Sequence, residues 1–217
     1  MSDRIFDIVG VAGSMLMLGL YFVFSLVHGR RRPGRSMQTA NQIVRALWVR
    51  HVLQDPGLAI LAIQTLRNST MAATFFATTA ILLMIGSLNL AGQAEQFAPA
   101  LASLGVLSPS HSGTWLVKVL LLTGDLFVAF FAFAMSVRLF NHVGYQLTVP
   151  GEIRKHLIDE EAVVRYMLRA GGYYSFGMRA FFVAVPLTFW LFGPMFLLAS
   201  TTVVVLVLYI MDRVPHD

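Results

Sequence analysis

Lys118 and Asp125 sit inside "WLVKVLLLTGDLFVAFFAFAMSVR", a stretch from Trp115 to Arg138 that is otherwise almost wholly apolar before its final arginine. On a helix they share a face but stand ~10 Å apart along the axis, too far for contact without a reaching lysine stem. Lys118, near one end of the run, reads as an interfacial anchor whose stem snorkels to water. Asp125 lies near the middle and is too short to snorkel. An acid at the centre of a membrane helix costs about 2.5–3.5 kcal/mol, so it is expected to face other helices and find partners there. Ala129, Ala132 and Ser136 continue its face as a stripe of small residues that permits close helix approach. Thr78 and Thr79 of an earlier apolar run offer hydroxyls at similar depth. Pro194 frees the Trp190 carbonyl, to which a protonated Asp125 could donate. Satisfied by such partners, Asp125 is a packing residue; facing water, it is a site that handles a proton or a cation.

Two further sets of side chains carry possible chemistry. Arg67, Arg138 and Arg179 fall at the same end of three apolar runs, with Asn68 and Asn141 beside them. They either snorkel singly to lipid phosphates or form one pocket for an anion or lipid headgroup. His28, His51, His142 and His156 are expected on that side too, and together could ligate a metal or haem. They contain no close pair of the H-x-x-x-H kind and no supporting carboxylate, so no cofactor is expected. The absence of cysteine excludes disulfides, thiolate metal sites and cysteine nucleophiles. No phosphate-binding glycine loop or nucleophile elbow is present to suggest an enzyme.

The elements that position these residues follow from composition. Of 217 residues, 57% are hydrophobic and 12% are charged, half the charge of an ordinary soluble domain. The apolar residues concentrate in four runs at about 6–28, 67–91, 115–139 and 179–211, each long enough to cross a bilayer core of roughly 30 Å. The expectation is an all-α, four-span transmembrane helix bundle forming a single domain. The first run is too long for a signal peptide and ends in "HGRRRPGR" rather than a cleavage site, so it reads as a retained span. Basic residues crowd the connections at about 29–66 and 140–178, while the one between the second and third runs has Glu95 and no Lys or Arg. The positive-inside rule makes the basic connections cytoplasmic and puts both termini on the other side. A net charge of +5 distributed this way reports orientation and not nucleic-acid binding.

Within the first connection, Met37, Ala40, Val44, Leu47 and His51 share one helical face, the pattern of an amphipathic interfacial helix. Asp55-Pro56 then restarts a helix as N-cap and first residue, with "NST" at 68–70 a candidate break before the second span. The second connection is helical in pattern from Glu152 and is expected to stop at Gly171-Gly172. The segment "GQAEQFAPALASLGVLSPSHSG" reads as a packing loop or lid on the outer side.

Three stretches, "AIQTLRNSTMAATFFATTAILL", "KVLLLTGDLFVAFFAFAMSVRLFNHVGY" and "GMRAFFVAVPLTFWLFGPMFLLAS", together with "RALWV" and the first apolar run, give the chain a resemblance across nearly its whole length. It resembles the integral-membrane family catalogued as domain of unknown function 599. The resemblance implies a four-span fold with cytoplasmic segments and implies no reaction; Asp125 is not an acid expected of that family.

The resulting expectation is a bacterial inner-membrane protein in contact with the lipid bilayer, acting as an accessory or assembly subunit of a membrane complex or as a lipid-contacting scaffold. Its partner is then a second copy or another membrane protein. The alternatives are a small transporter or channel-like protein using Asp125, and a haem- or metal-binding membrane protein.

Overall fold

The computed structural model describes residues 11–14, 16–17, 19–21, 37–93, 112–150, 153 and 159–211. His28, His156 and most of the expected outer loop lie outside them. The described chain is all-α. After an N-terminal helical segment come α1 (Met37–Gln54), a 3-10 turn (Pro56–Leu58), α2 (Ala59–Gly92), α3 (Ser112–Thr148), α4 (Glu160–Trp190) and α5 (Pro194–Met211).

Local chemistry explains most of these limits. Asp55 Oδ1 accepts the Gly57 N–H at 2.8 Å and sets the turn between α1 and α2. The expected break at 68–70 is absent. Ser69 donates its hydroxyl to the Thr65 carbonyl at 3.2 Å, so a polar residue is satisfied without interrupting the helix. Asp159 caps α4, its extended backbone leaving the side chain to accept from Glu161 N at 3.1 Å. Glu160 and Glu161 then favour the positive end of the helix dipole.

Gly171-Gly172 does not end this helix, which continues to Trp190. Two glycines cost a helix about 1 kcal/mol each, a penalty that packing against three neighbouring elements outweighs. The expected fourth span, 179–211, is not one helix either. α4 stops at Trp190, and α5 begins at Pro194 after a three-residue turn. Gly193 has φ 137°, a conformation favouring glycine, and Pro194 supplies no N–H to continue the ladder. α5 folds back along α4, bringing Val204 and Leu208 against Phe182.

α3 lies between α2 and α4. Ser87 and Thr123 hydroxyls meet at 2.7 Å, and Ala77, Ala80, Ala129, Phe133 and Ala180 form a buried layer through all three helices. At the Glu160 end, α1 closes a larger core in which Val49 and Val52 meet Leu66, Phe140, Val143, Val163 and Met167. At the Trp190 end, Trp115, Val119 and Leu191 pack with Leu90. The N-terminal segment runs beside α5 in the same direction: Met17 lies against Thr202, and Tyr21 packs with Val204 and Leu208. The described chain therefore begins near the Trp190 end and finishes toward the middle of α4. The two ends of the chain, residues 1–10 and 212–217, lie outside the described residues.

The apolar stripe expected on α1 points away from the helices that α1 packs on. Val44 and Leu47 are about 60% exposed, and His51 is exposed too, whereas Val49, Val52 and Leu53 are buried. The face that packs on α4 includes polar Gln38 and Arg45. Helical periodicity alone favoured the more apolar stripe.

Candidate functional site

Lys118 turns inward instead of snorkelling. It is 7% exposed, its Nζ donates to the Trp190 carbonyl at 3.3 Å, and it sits 5.4 Å from the centroid of the Trp190 ring. The helix end makes this possible, because Pro194 cannot donate to that carbonyl and the turn leaves the oxygen accessible. Gly193 N also donates to it at 3.1 Å. The acceptor expected for Asp125 thus serves Lys118 and the turn.

Asp125 lies on the small-residue stripe, which does face α4: Ala129 and Ala132 are buried, and Ser136 Oγ donates to the Ala170 carbonyl at 2.9 Å. Its Oδ2 is buried and has no hydrogen-bond partner among the described residues. The two threonines expected beside it are elsewhere. Thr78 is exposed, and Thr79 donates to the Phe75 carbonyl at 2.9 Å. The cause is helix register. Leu122 and Leu126 pack with Met84, Leu187 and Ala184, so Asp125 is level with Met84. Thr78 and Thr79 fall roughly 8 Å further along α2, about a turn and a half away.

The arginines divide into two groups. Arg67 lines a groove of about 710 Å³ between α2 and α3, with Thr70, Thr74, Asn141 and Tyr145. Arg138 lines a neighbouring groove of about 640 Å³ with Asn141, His142, Tyr145 and Tyr166. Asn141 and Tyr145 line both grooves, so Arg67 and Arg138 occupy adjacent grooves. Asn68 is exposed. Arg179 joins neither groove; it reaches α1, where Nη2 donates to Gln38 Oε1 at 3.0 Å. His142 stacks edge-on to Tyr166 at 4.8 Å and lies 3.2 Å from the Gln146 amide nitrogen, while His51 is exposed on α1. No group of three metal-ligating side chains occurs among the described residues.

The sequence reading missed Arg45. This side chain lies across the backbone of α4 at Gly171: a Cβ there would be 2.6 Å from Arg45 Cζ and would overlap Nη1. Burial lowers the Arg45 pKa from its ordinary value, with Tyr174 opposing the shift. Gln38, Asn41 and Arg45 recur at i, i+3 and i+7 on α1, and Gly171, Tyr174 and Arg179 at i, i+3 and i+8 on α4. That pairing was the available signal, hidden because Gly-Gly reads locally as a stop. Between the two helices lies a cavity of about 350 Å³, lined by Gln38, Asn41, Tyr174, Ser175 and Arg179 on its polar side.

The arrangement offers cation, amide and hydroxyl donors at the α1–α4 seam and one unpartnered acid oxygen deeper in the bundle. No curated protein and no solved structure matches the chain. A family match does cover residues 9–216, including every element that builds these sites. By that match the chain belongs to the family described as Protein of unknown function, DUF599.

Proposed function

We propose that this chain is an integral membrane protein, a non-catalytic helical scaffold that contacts lipid and holds a membrane partner or second copy. The observation that carries the reading is the inverted pattern of α2. In the core helix of a soluble protein the large apolar residues are buried. Here Ile60, Met71, Phe75, Leu82 and Ile85 are at least 50% exposed, whereas Ala62, Ala73, Ala77, Ala80 and Ser87 are inside. Small residues inward and large apolar residues outward is how helices pack when the solvent is lipid. Only 22% of the most apolar window of α2 is buried, and α2 and α3 are each long enough to cross a membrane.

A bilayer core of roughly 30 Å takes up about 20 residues of α3. Measured from Trp115 it ends near Met135, so Arg138 meets headgroups and the remaining turns join α1 in a cytoplasmic collar. The spanning parts are then the N-terminal segment, most of α2 and α3, α4 from about Gly171, and α5. This five-pass arrangement places the N-terminus outside and the C-terminus inside. Alkaline carbonate treatment of membranes tests the assignment: the protein should stay in the pellet, and its release would overturn the reading. Native mass spectra of gently solubilised protein should show retained lipid or a membrane-protein partner; a bare monomer counts against the scaffold role.

A second reading, proton or cation handling, is favoured by the buried Asp125 Oδ2, which no described residue bonds. Reconstituted protein should pass protons or monovalent cations, and Asp125→Asn should reduce that flux at least tenfold. No wild-type flux, or equal flux in the variant, removes this reading.

A further inference from the structure

We propose that the α1–α4 seam is a binding site for the phosphate group of an anionic phospholipid. The proposal deepens the lipid-contacting role and rests on the membrane reading. Arg45 lies midway along the seam at Gly171 and Arg179 at its far end beside Gln38, with Asn41, Tyr174 and Ser175 supplying neutral polar groups between them. No carboxylate lines the cavity. The described ion pairs of these helices, Arg50–Glu161 and Arg165–Asp159, involve other arginines.

Arg45 is the group that asks for a ligand. It is partly withdrawn from water and pressed onto the Gly171 backbone, and no described residue makes an ion pair with it. Removing a guanidinium from water without a counter-charge is costly, and a phosphate oxygen supplies both the charge and a bidentate acceptor. The cavity wall indicates which phosphate. Met178, Phe182 and Leu208 form its apolar side, toward the membrane interior. A free phosphate gains nothing from that wall, whereas the glycerol and first acyl carbons of a lipid bury against it. The depth agrees, since α4 around Gly171 lies beside Ser136 and close to the level of Arg138.

The test is native mass spectrometry of the full chain, titrated with phosphatidylglycerol, phosphatidylcholine or inorganic phosphate. Wild type should bind phosphatidylglycerol at least tenfold more tightly than phosphatidylcholine, and millimolar phosphate should not displace it. Arg45→Gln should weaken phosphatidylglycerol about tenfold, the typical effect of one charge-assisted hydrogen bond. Arg50→Gln removes the same charge from the same helix at an exposed ion pair and should change binding less than twofold. Ser175→Leu, which fills the cavity and leaves Arg45 in place, should also lose the lipid, and it decides the matter if Arg45→Gln does not fold. Equal losses in Arg45→Gln and Arg50→Gln would reduce the effect to general charge and overturn the site. Wild-type binding in folded Arg45→Gln or Ser175→Leu overturns it as well, and full displacement by phosphate overturns the lipid assignment. These outcomes are separable from failure of the membrane reading, which appears as carbonate release of wild type.

Discussion

A Cβ on Gly171 would collide with the Arg45 guanidinium, whereas one on Gly172 meets nothing within 4 Å. Adjacent glycines therefore predict opposite outcomes. Gly171→Ala must displace the flexible end of Arg45, so it should forfeit the helix-propensity gain and lower stability by up to about 1 kcal/mol. Gly172→Ala should be neutral or stabilise by up to about 1 kcal/mol through helix propensity. Thermal denaturation in detergent, followed by circular dichroism, separates the two. Ser136→Ala removes the buried bond to the Ala170 carbonyl and should cost about 1 kcal/mol in the same assay. Asp125 was legible as an odd residue because an acid within an apolar run stands out locally. Its surroundings were not legible: which hydroxyl comes level with it depends on how far α2 slides along α3.

At the scale of elements, the apolar runs at 67–91 and 115–139 fall inside α2 and α3, because a helix satisfies its backbone hydrogen bonds within its own segment. Signals for helix ends were less faithful. Polar "NST" and paired glycines argued for breaks that side-chain back-bonding and interhelical packing remove. Gly193-Pro194 was the stop that counted, and it turns one expected span into a hairpin. Gly193→Ala must place a Cβ-bearing residue at φ 137° and should cost about 1–3 kcal/mol. A lowered melting temperature with unchanged total helicity is the expected result; wild-type stability would show that this turn does not constrain the hairpin.

For the whole molecule, the proposed five-pass arrangement assigns a side to each end. The five-pass proposal predicts that a fluorescent protein fused to the C-terminus lights up in bacterial cells, while alkaline phosphatase fused there stays inactive. An active phosphatase fusion would restore the arrangement in which both ends are outside. The chain lacks cysteine, so single introduced cysteines map the remaining surface without a background. Thr148→Cys, at the Glu160 end, and Gln93→Cys, at the Trp190 end, should react with an impermeant maleimide from opposite faces of the membrane. The grooves beside Arg67 and Arg138 lie toward the Glu160 end, and the α1–α4 cavity lies near the middle of α4.

The sequence by itself determined the all-α class, the family resemblance, the apolar runs and the asymmetric placement of basic residues. These are local quantities, summed along the chain, and no distant contact alters them. Only the tertiary structure decided that Lys118 bonds the Trp190 carbonyl, that Asp125 stands beside Met84 instead of the threonines, and that Arg45 lies on Gly171. Each depends on helix register, and register is set by how small residues such as Ala80, Ala129 and Gly171 let neighbouring helices approach. A slide of one turn preserves every apolar run while exchanging every polar partner.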